Sequence, residues 1–322
     1  MNSIAKINLA FRSGRLSKPP VWLCLLFLVF IFPFLAFPAH AMEVLIIKSS
    51  GSAVYQEIAD NIAGKLENSC KNQCINSRVI LNSAVAQNLN NSNFSRYNLI
   101  ITLGSASLKL TEKIKLEPHT NILHALIPTA ANEIALPHHH LLLIDQPAAA
   151  ILESVNKLIP TALTKGMLYS SNSETRMKKI AQAFTNSKQS VHRQEVINND
   201  TGLALSKLMK KSAAIIMLPD NNIYTRNNIS QVLLSGFQRG IPFIGYSTAL
   251  AKTGALASVV TNKQSIINDV AELSLKLLKG EKIPTINFPS TYQLVINRDI
   301  AESLNISINP DLISHPNVEV LP

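Results

Sequence analysis

Hydroxyl residues gather where short apolar runs give way to helical stretches. Ser49, Ser50 and Ser52 follow the run 43–48, and Ser105 and Ser107 follow Gly104 after the run 99–103. Ser170 follows 166–169 beside Tyr169, Asp220 and Asn221 follow 213–218, and Ser247 follows Tyr246 at the end of 243–246. A helix start offers free backbone N–H groups, and small hydroxyl side chains beside them suit an anion such as a carboxylate. The same residue types also serve as ordinary helix N-caps, which is the simpler account of any one turn. In a doubly wound sheet, however, all such turns lie at the carboxyl ends of the strands, where ligands bind. Ser50, Ser52, Ser105, Ser107, Tyr169, Ser170, Asp220, Asn221, Tyr246 and Ser247 are therefore the expected ligand-binding residues. Asp220 supplies a carboxylate for a ligand amino group, and Tyr55, Tyr169 or Tyr246 supplies an aromatic wall.

Catalytic signatures do not appear. Leu103-Gly104-Ser105-Ala106-Ser107 departs from the G-x-S-x-G elbow of a hydrolase, and Ser235 falls mid-helix. Neither a G-x-G-x-x-G nor a Walker loop occurs, and no paired carboxylates follow the strands. No catalytic residue and no cofactor are expected. His138, His139 and His140 invite a metal reading, but consecutive residues on a strand point to alternate faces, and Asp145 is the nearest acid. A polar loop over 128–140 is the better reading, and no metal is expected. Cys70 and Cys74 stand four apart. In an oxidising compartment that spacing favours a structural disulfide over a redox or metal role.

The elements that must hold these turns alternate regularly. Strands are expected at 43–48, 78–81, 99–103, 122–127, 141–144, 166–169, 191–196, 213–218, 243–246, 255–260 and, as the last, 292–296. Helices are expected at 52–67, 105–113, 147–160, 174–184, 203–209, 228–239 and 266–278. In the first helix Val54, Ile58, Ile62 and Leu66 mark one apolar face. The strand runs are almost continuously apolar, which parallel sheets covered on both faces require.

The N-terminus reads differently. Lys6, Arg12, Arg15 and Lys18 precede an apolar run, 21–37, and then Pro38-Ala39-His40-Ala41. That order describes a secretory signal peptide cleaved after Ala41. Cys24 lacks the small residues that a lipid-anchor signal places before its cysteine, so no lipid anchor is expected. The chain carries 30 Lys and Arg against 20 Asp and Glu over 322 residues, and four of those basic residues belong to this segment. The others are scattered without interleaved aromatics, which argues against nucleic-acid binding.

Several segments resemble one family in its order and spacing: Gly166-Met-Leu-Tyr-Ser170, Met217-Leu-Pro-Asp-Asn-Asn-Ile-Tyr224, Gly240-Ile-Pro-Phe243, Gly254-Ala-Leu-Ala257, Leu275 to Pro284, and Tyr292-Gln-Leu-Val-Ile-Asn297. From about residue 145 to 310 the chain is similar to the substrate-binding proteins of ABC transporters associated with aromatic amino acids such as tryptophan. Before residue 145 it departs. Ser49-Ser50-Gly51-Ser52 stands where that family has His-Pro and Asp. The resemblance implies an α/β, two-lobed type I periplasmic-binding fold with three hinge crossings. One lobe would hold 42–143 and 261–290, the other 144–260 and 291–322. It also implies that Asp220 and Asn221 fall at the cleft and that the Ser105–Ser107 turn receives a ligand carboxylate. Tyr224 reads equally well as a ligand contact or as packing. Two functional readings follow. The first is a periplasmic protein that captures a small amino-acid-like or carboxylate-bearing ligand between its lobes for an ABC permease. The second keeps the fold as a sensing or interaction module working with a membrane sensor.

Overall fold

The computed structural model describes residues 41–70, 74–87, 94–114, 120–128, 137–159 and 164–322. Residues 1–40 of the expected signal peptide, residues 88–93 and residues 129–136 of the expected loop 128–140 lie outside the described residues.

Two sheets form. The first contains β1 (Met42–Lys48), β2 (Ile75–Leu81), β3 (Leu99–Leu103), β4 (Asn121–Ile127), β5 (His139–Leu143) and β11 (Ile286–Asn287), in the order β11-β5-β4-β3-β1-β2. The second contains β6 (Lys165–Tyr169), β7 (Val191–Glu195), β8 (Ala214–Ile216), β9 (Phe243–Gly245), β10 (Ala257–Val260), β12 (Gln293–Asn297) and β13 (Val318–Leu321). Its order is β13-β12-β10-β9-β8-β6-β7. Each sheet has apolar residues on both faces. Val44 and Ile46 enter one core cluster while Leu45 and Ile47 enter another, and Ile216 and Ile244 separate in the same way from Ile215 and Phe243. That is the period-two alternation of a strand buried on both sides.

Helices cover these faces. On the first sheet lie α1 (Ala53–Asn68), α2 (Asn82–Gln87), α3 (Ser105–Thr111) and, from later in the chain, α9 (Lys263–Leu278). The second sheet carries α4 (Ala148–Leu158), α5 (Glu174–Asn186), α6 (Thr201–Met209), α7 (Ile229–Phe237) and α8 (Thr248–Thr253). It also carries α10 (Arg298–Ser303) and α11 (Pro310–Ile313). The α1 helix buries Ile58, Ile62 and Leu66, but Val54 is 56% exposed, because the first turn of the helix stands beyond the end of β1.

The chain passes between sheets after β5, after β10 and between β11 and β12. At the first two passages it enters a helix, which runs away from the gap and lets the next strand be parallel. At the third it enters β12 directly. Gln293 therefore pairs with Val260 at the gap end, and β12 runs antiparallel to β10. This strand reversal departs from the expectation of purely parallel sheets. The strand at 292–296 is also not the last, since β13 pairs with β12 in parallel.

Other differences are local. His139 and His140 belong to β5 rather than to a loop, and His138 holds a left-handed turn at φ 62°. The His124 ring in β4 lies between Thr102 Oγ1, 2.7 Å from Nδ1, and His139 Nδ1, 2.9 Å from Nε2. Cys70 and Cys74 are joined in a disulfide, their Cα atoms 5.8 Å apart, where α1 hands over to β2.

Two outcomes follow from this packing. A Cβ on Gly236 of α7 would come within 2.1 Å of the Phe243 ring and 3.0 Å of the Ile241 carbonyl oxygen. Gly236→Ala should therefore cost about 1–3 kcal/mol of stability by urea denaturation, and an unchanged midpoint would contradict this contact. His124 is fully enclosed, and burial first, then its neighbours His139 and His140, lower its pKa to about 3. As pH falls below the ordinary histidine value, the unfolded chain takes up a proton that native His124 refuses, so stability is lost between those two values. Between pH 7.5 and pH 5 this group should account for about 2 kcal/mol of lost stability, a slope that His124→Gln should flatten. An unaltered slope in that variant would refute the assignment.

Candidate functional site

The carboxyl ends of the strands deliver their turns to the gap, but the side chains there divide into three groups. In the first lobe the turns bind one another. Ser107 N donates to Ser49 Oγ at 2.8 Å, and the two hydroxyl oxygens lie 2.9 Å apart. Gly104 makes this approach possible. Its φ is 90°, and a Cβ there would stand 2.8 Å from Ser49 Oγ and 2.7 Å from the Tyr55 hydroxyl. Ser107, expected to face a ligand, is fully buried and engaged with Ser49. Ser49, five positions after Val44, which opens the apolar β1 core, fills the helix start instead. Ser50 Oγ accepts from Ser52 N at 3.1 Å, a local turn contact, and Ser52 caps α1 without a side-chain hydrogen bond. Ser105 is half-buried at the start of α3, and Tyr55 packs on the first-lobe core.

In the second lobe Asp220 forms an internal network. The hydroxyls of Ser170 and Ser173 each donate to its Oδ2 at 2.6 Å, and Asn222 N donates to Oδ1 at 2.9 Å. With 3% exposure, its carboxylate is committed to holding two turns together. This differs from the expectation that Asp220 awaits a ligand amino group. Its turn also differs in form, since 220–228 is a run of turns and α7 begins only at Ile229. Asn221 is exposed on that turn, and Tyr169 packs half-buried against the core. Tyr224 is a core residue, and burial raises its phenol pKa, with Tyr246 and Asp220 adding to the effect.

The third group lines a cavity of about 390 Å³ beside the first two crossings. From β5 onward it takes Ile144, Asp145 and Gln146; from α5, Arg176; from the ends of β8 and β9, Met217, Pro219, Tyr246, Ser247 and Thr248; and from the end of β10, Val260 and Thr261. Of the residues singled out in the sequence, Tyr246 and Ser247 are here. Ser247 Oγ accepts from Leu250 N as the cap of α8. Burial raises the Tyr246 phenol pKa, followed by the charges of Asp220 and Asp145, so the hydroxyl stays neutral and can donate.

Asp145, Gln146 and Arg176 were missed by reasoning on turn serines. Arg176 Nη1 lies 3.9 Å from Asp145 Oδ2, and Nη2 donates to the Gln146 carbonyl oxygen at 3.0 Å. Asp145 and Arg176 are each only 8% exposed. Burial lowers the Arg176 pKa and Asp145 pushes it back up. One signal was available. Arg176 shares the buried face of α5 with Ile180 and Phe184, at spacings of four, so a charge stands on an otherwise apolar stripe.

The cavity lies at the crossings of a two-lobed α/β scaffold, a position where small-molecule sites are commonly built. Residues 145–320 match the ABC transporter substrate binding protein family, and the chain belongs to that family. Its members bind small molecules in association with ABC transporters, are not enzymes, and are typically extracytoplasmic. No described helix is long and apolar enough to cross a membrane. Among solved structures, an ABC domain from Streptococcus pneumoniae in complex with L-Trp matches with a TM-score of 0.58 at 21% identity, covering 87% of this chain and 100% of that one. A ligand-free, open substrate binding protein with adhesive properties from Clostridium difficile gives 0.67 at 16% identity, covering 87% and 99%. A conserved domain protein from Vibrio cholerae gives 0.57 at 15% identity, again covering 87% and 99%. At these identities the likeness is one of fold. No curated protein matches the chain.

The Asp220 network carries a stability prediction. Asp220→Asn removes the charge from two short hydroxyl bonds and should cost about 2 kcal/mol by denaturant unfolding. A loss below about 0.5 kcal/mol would show that Ser170 and Ser173 are satisfied elsewhere.

Proposed function

We propose that this protein is exported to the periplasm, its first 41 residues removed as a signal peptide, and that it captures a small zwitterionic, amino-acid-like ligand for an ABC permease. The observation that carries this reading is the pair of opposite charges, Asp145 and Arg176, nearly enclosed in one cavity wall. A cavity with a fixed cation and a fixed anion complements a ligand bearing a carboxylate and an ammonium group. The guanidinium suits the carboxylate through charge-assisted hydrogen bonds. Ile144, Ile151, Ile216, Met217 and Val259 offer an apolar wall for a side chain, and Tyr246 and Ser247 add a hydroxyl on either side of the turn after β9. Ser50, Ser52, Ser105 and Asn221 would act as rim contacts that come into play when the lobes approach. The engagement of Ser49 with Ser107 supports placing the ligand's charged groups against the second lobe.

A thermal-shift screen of the purified chain beginning at Met42, against the twenty amino acids and the corresponding deaminated acids, tests the reading. A ligand at about 100 times its Kd adds about 2.7 kcal/mol of stability. Arg176→Met should weaken carboxylate binding about 10–100-fold, with Arg176→Lys falling between. Shifts only with uncharged solutes, or a full response retained in Arg176→Met, would contradict the proposal.

A further inference from the structure

One buried polar atom of a cavity-lining residue lacks a partner among the described residues. Gln146 is 3% exposed, and its Oε1 has no hydrogen-bond partner among the described residues. The amide orientation is fixed by its neighbours. Thr261 donates its hydroxyl proton to the Ile144 carbonyl oxygen at 2.6 Å, so Thr261 Oγ1 can only accept from Gln146. Nε2 must therefore face Thr261, and a flipped amide would set two acceptors against each other. The chain of bonds runs from Gln146 Nε2 through Thr261 Oγ1 to the Ile144 carbonyl, and it ties the first crossing between the lobes to the second. Arg176 Nη2 grips the same segment through the Gln146 carbonyl. Oε1 is left without a donor on a residue that lines the cavity together with Asp145, Arg176 and Thr261.

An enclosed amide oxygen without a donor costs free energy that a hydrogen-bonding ligand recovers. We infer that Gln146 is the residue that reads a donor group on the ligand, accepting from its ammonium at Oε1, and that the Gln146–Thr261–Ile144 bonds hold that acceptor in place and link ligand capture to the hinge. The inference rests on the zwitterion reading and adds to it. Asp145 supplies charge, whereas Gln146 supplies a directed acceptor, so discrimination between an amino acid and the same acid lacking its amino group falls on Gln146. Thr261 is a positioning residue that acts through it.

The test uses two matched pairs, L-leucine with 4-methylpentanoate and L-phenylalanine with 3-phenylpropanoate, titrated calorimetrically into the chain from Met42. The wild type should prefer the amino member of a pair. Gln146→Met keeps the side chain's length without the acceptor, and it should lower that preference about tenfold while leaving affinity for the deaminated acid nearly unchanged. Thr261→Val, which frees the amide to turn, should lower the preference by a smaller factor, and Thr261→Ser, which keeps the hydroxyl, should restore it. Full preference in Gln146→Met, or equal behaviour of the two Thr261 variants, overturns the inference while the zwitterion reading stands. Failure of the wild type to bind or to distinguish any of the four compounds overturns both.

Discussion

Placing a carboxylate and a guanidinium together in a protein wall is costly, because both leave water and their attraction recovers the loss only in good geometry. Asp145 and Arg176 are held under that constraint at the place where the chain first leaves one lobe for the other. The surroundings compensate in part: the guanidinium donates to a backbone carbonyl of the crossing segment itself. A pair of this kind is weak evidence for stability, since well-packed apolar residues would serve as well or better. The proposed function explains it as a site kept polar for a ligand, and the aliphatic wall around it strengthens any charge interaction made there by excluding water.

Topology supplies the setting. Parallel strands end at the gap, so each strand contributes its following turn to the same region. Two crossings lead into helices and preserve parallel order. The third leads straight into a strand and forces the antiparallel pairing of β10 with β12. Three connections at one edge of each lobe leave the opposite edges free to approach, and short hydrogen-bonded links such as Thr261 to Ile144 lie among those connections. The proposed ligand site thus shares residues with the crossings, Gln146 and Thr261 among them.

Much of this was legible in the residue pattern. Leu99 to Leu103 is bounded as read, since five apolar or β-branched residues between polar neighbours fit a fully buried strand. The two-lobed α/β fold followed from strand–helix alternation together with the ordered segments after residue 145. The site was less legible. Hydroxyls in turns mark where a site can be, but the pattern does not distinguish a hydroxyl facing a ligand from one capping a neighbouring turn. Ser107 and Asp220 were chosen for their type and place, and both are occupied by partners more than 45 residues away in sequence, Ser49 and Ser170. Arg176 was passed over as one of many basic residues, although its position on the apolar stripe of α5 set it apart. Gln146 carried no local signal at all, because its importance arises from Thr261, a contact between residues 115 positions apart.

In the proposed reading the second lobe presents the charged and hydrogen-bonding surface, while the first lobe, with its serine turns bonded to each other, is the face that closes. This division is consistent with the family's role of delivering a captured small molecule to a transporter. Small-angle X-ray scattering with and without a saturating amino acid tests it most directly. The account predicts that a bound zwitterion contracts the particle as the lobes close over Asp145 and Arg176. A scattering profile that stays the same while the amino acid is demonstrably bound would contradict it.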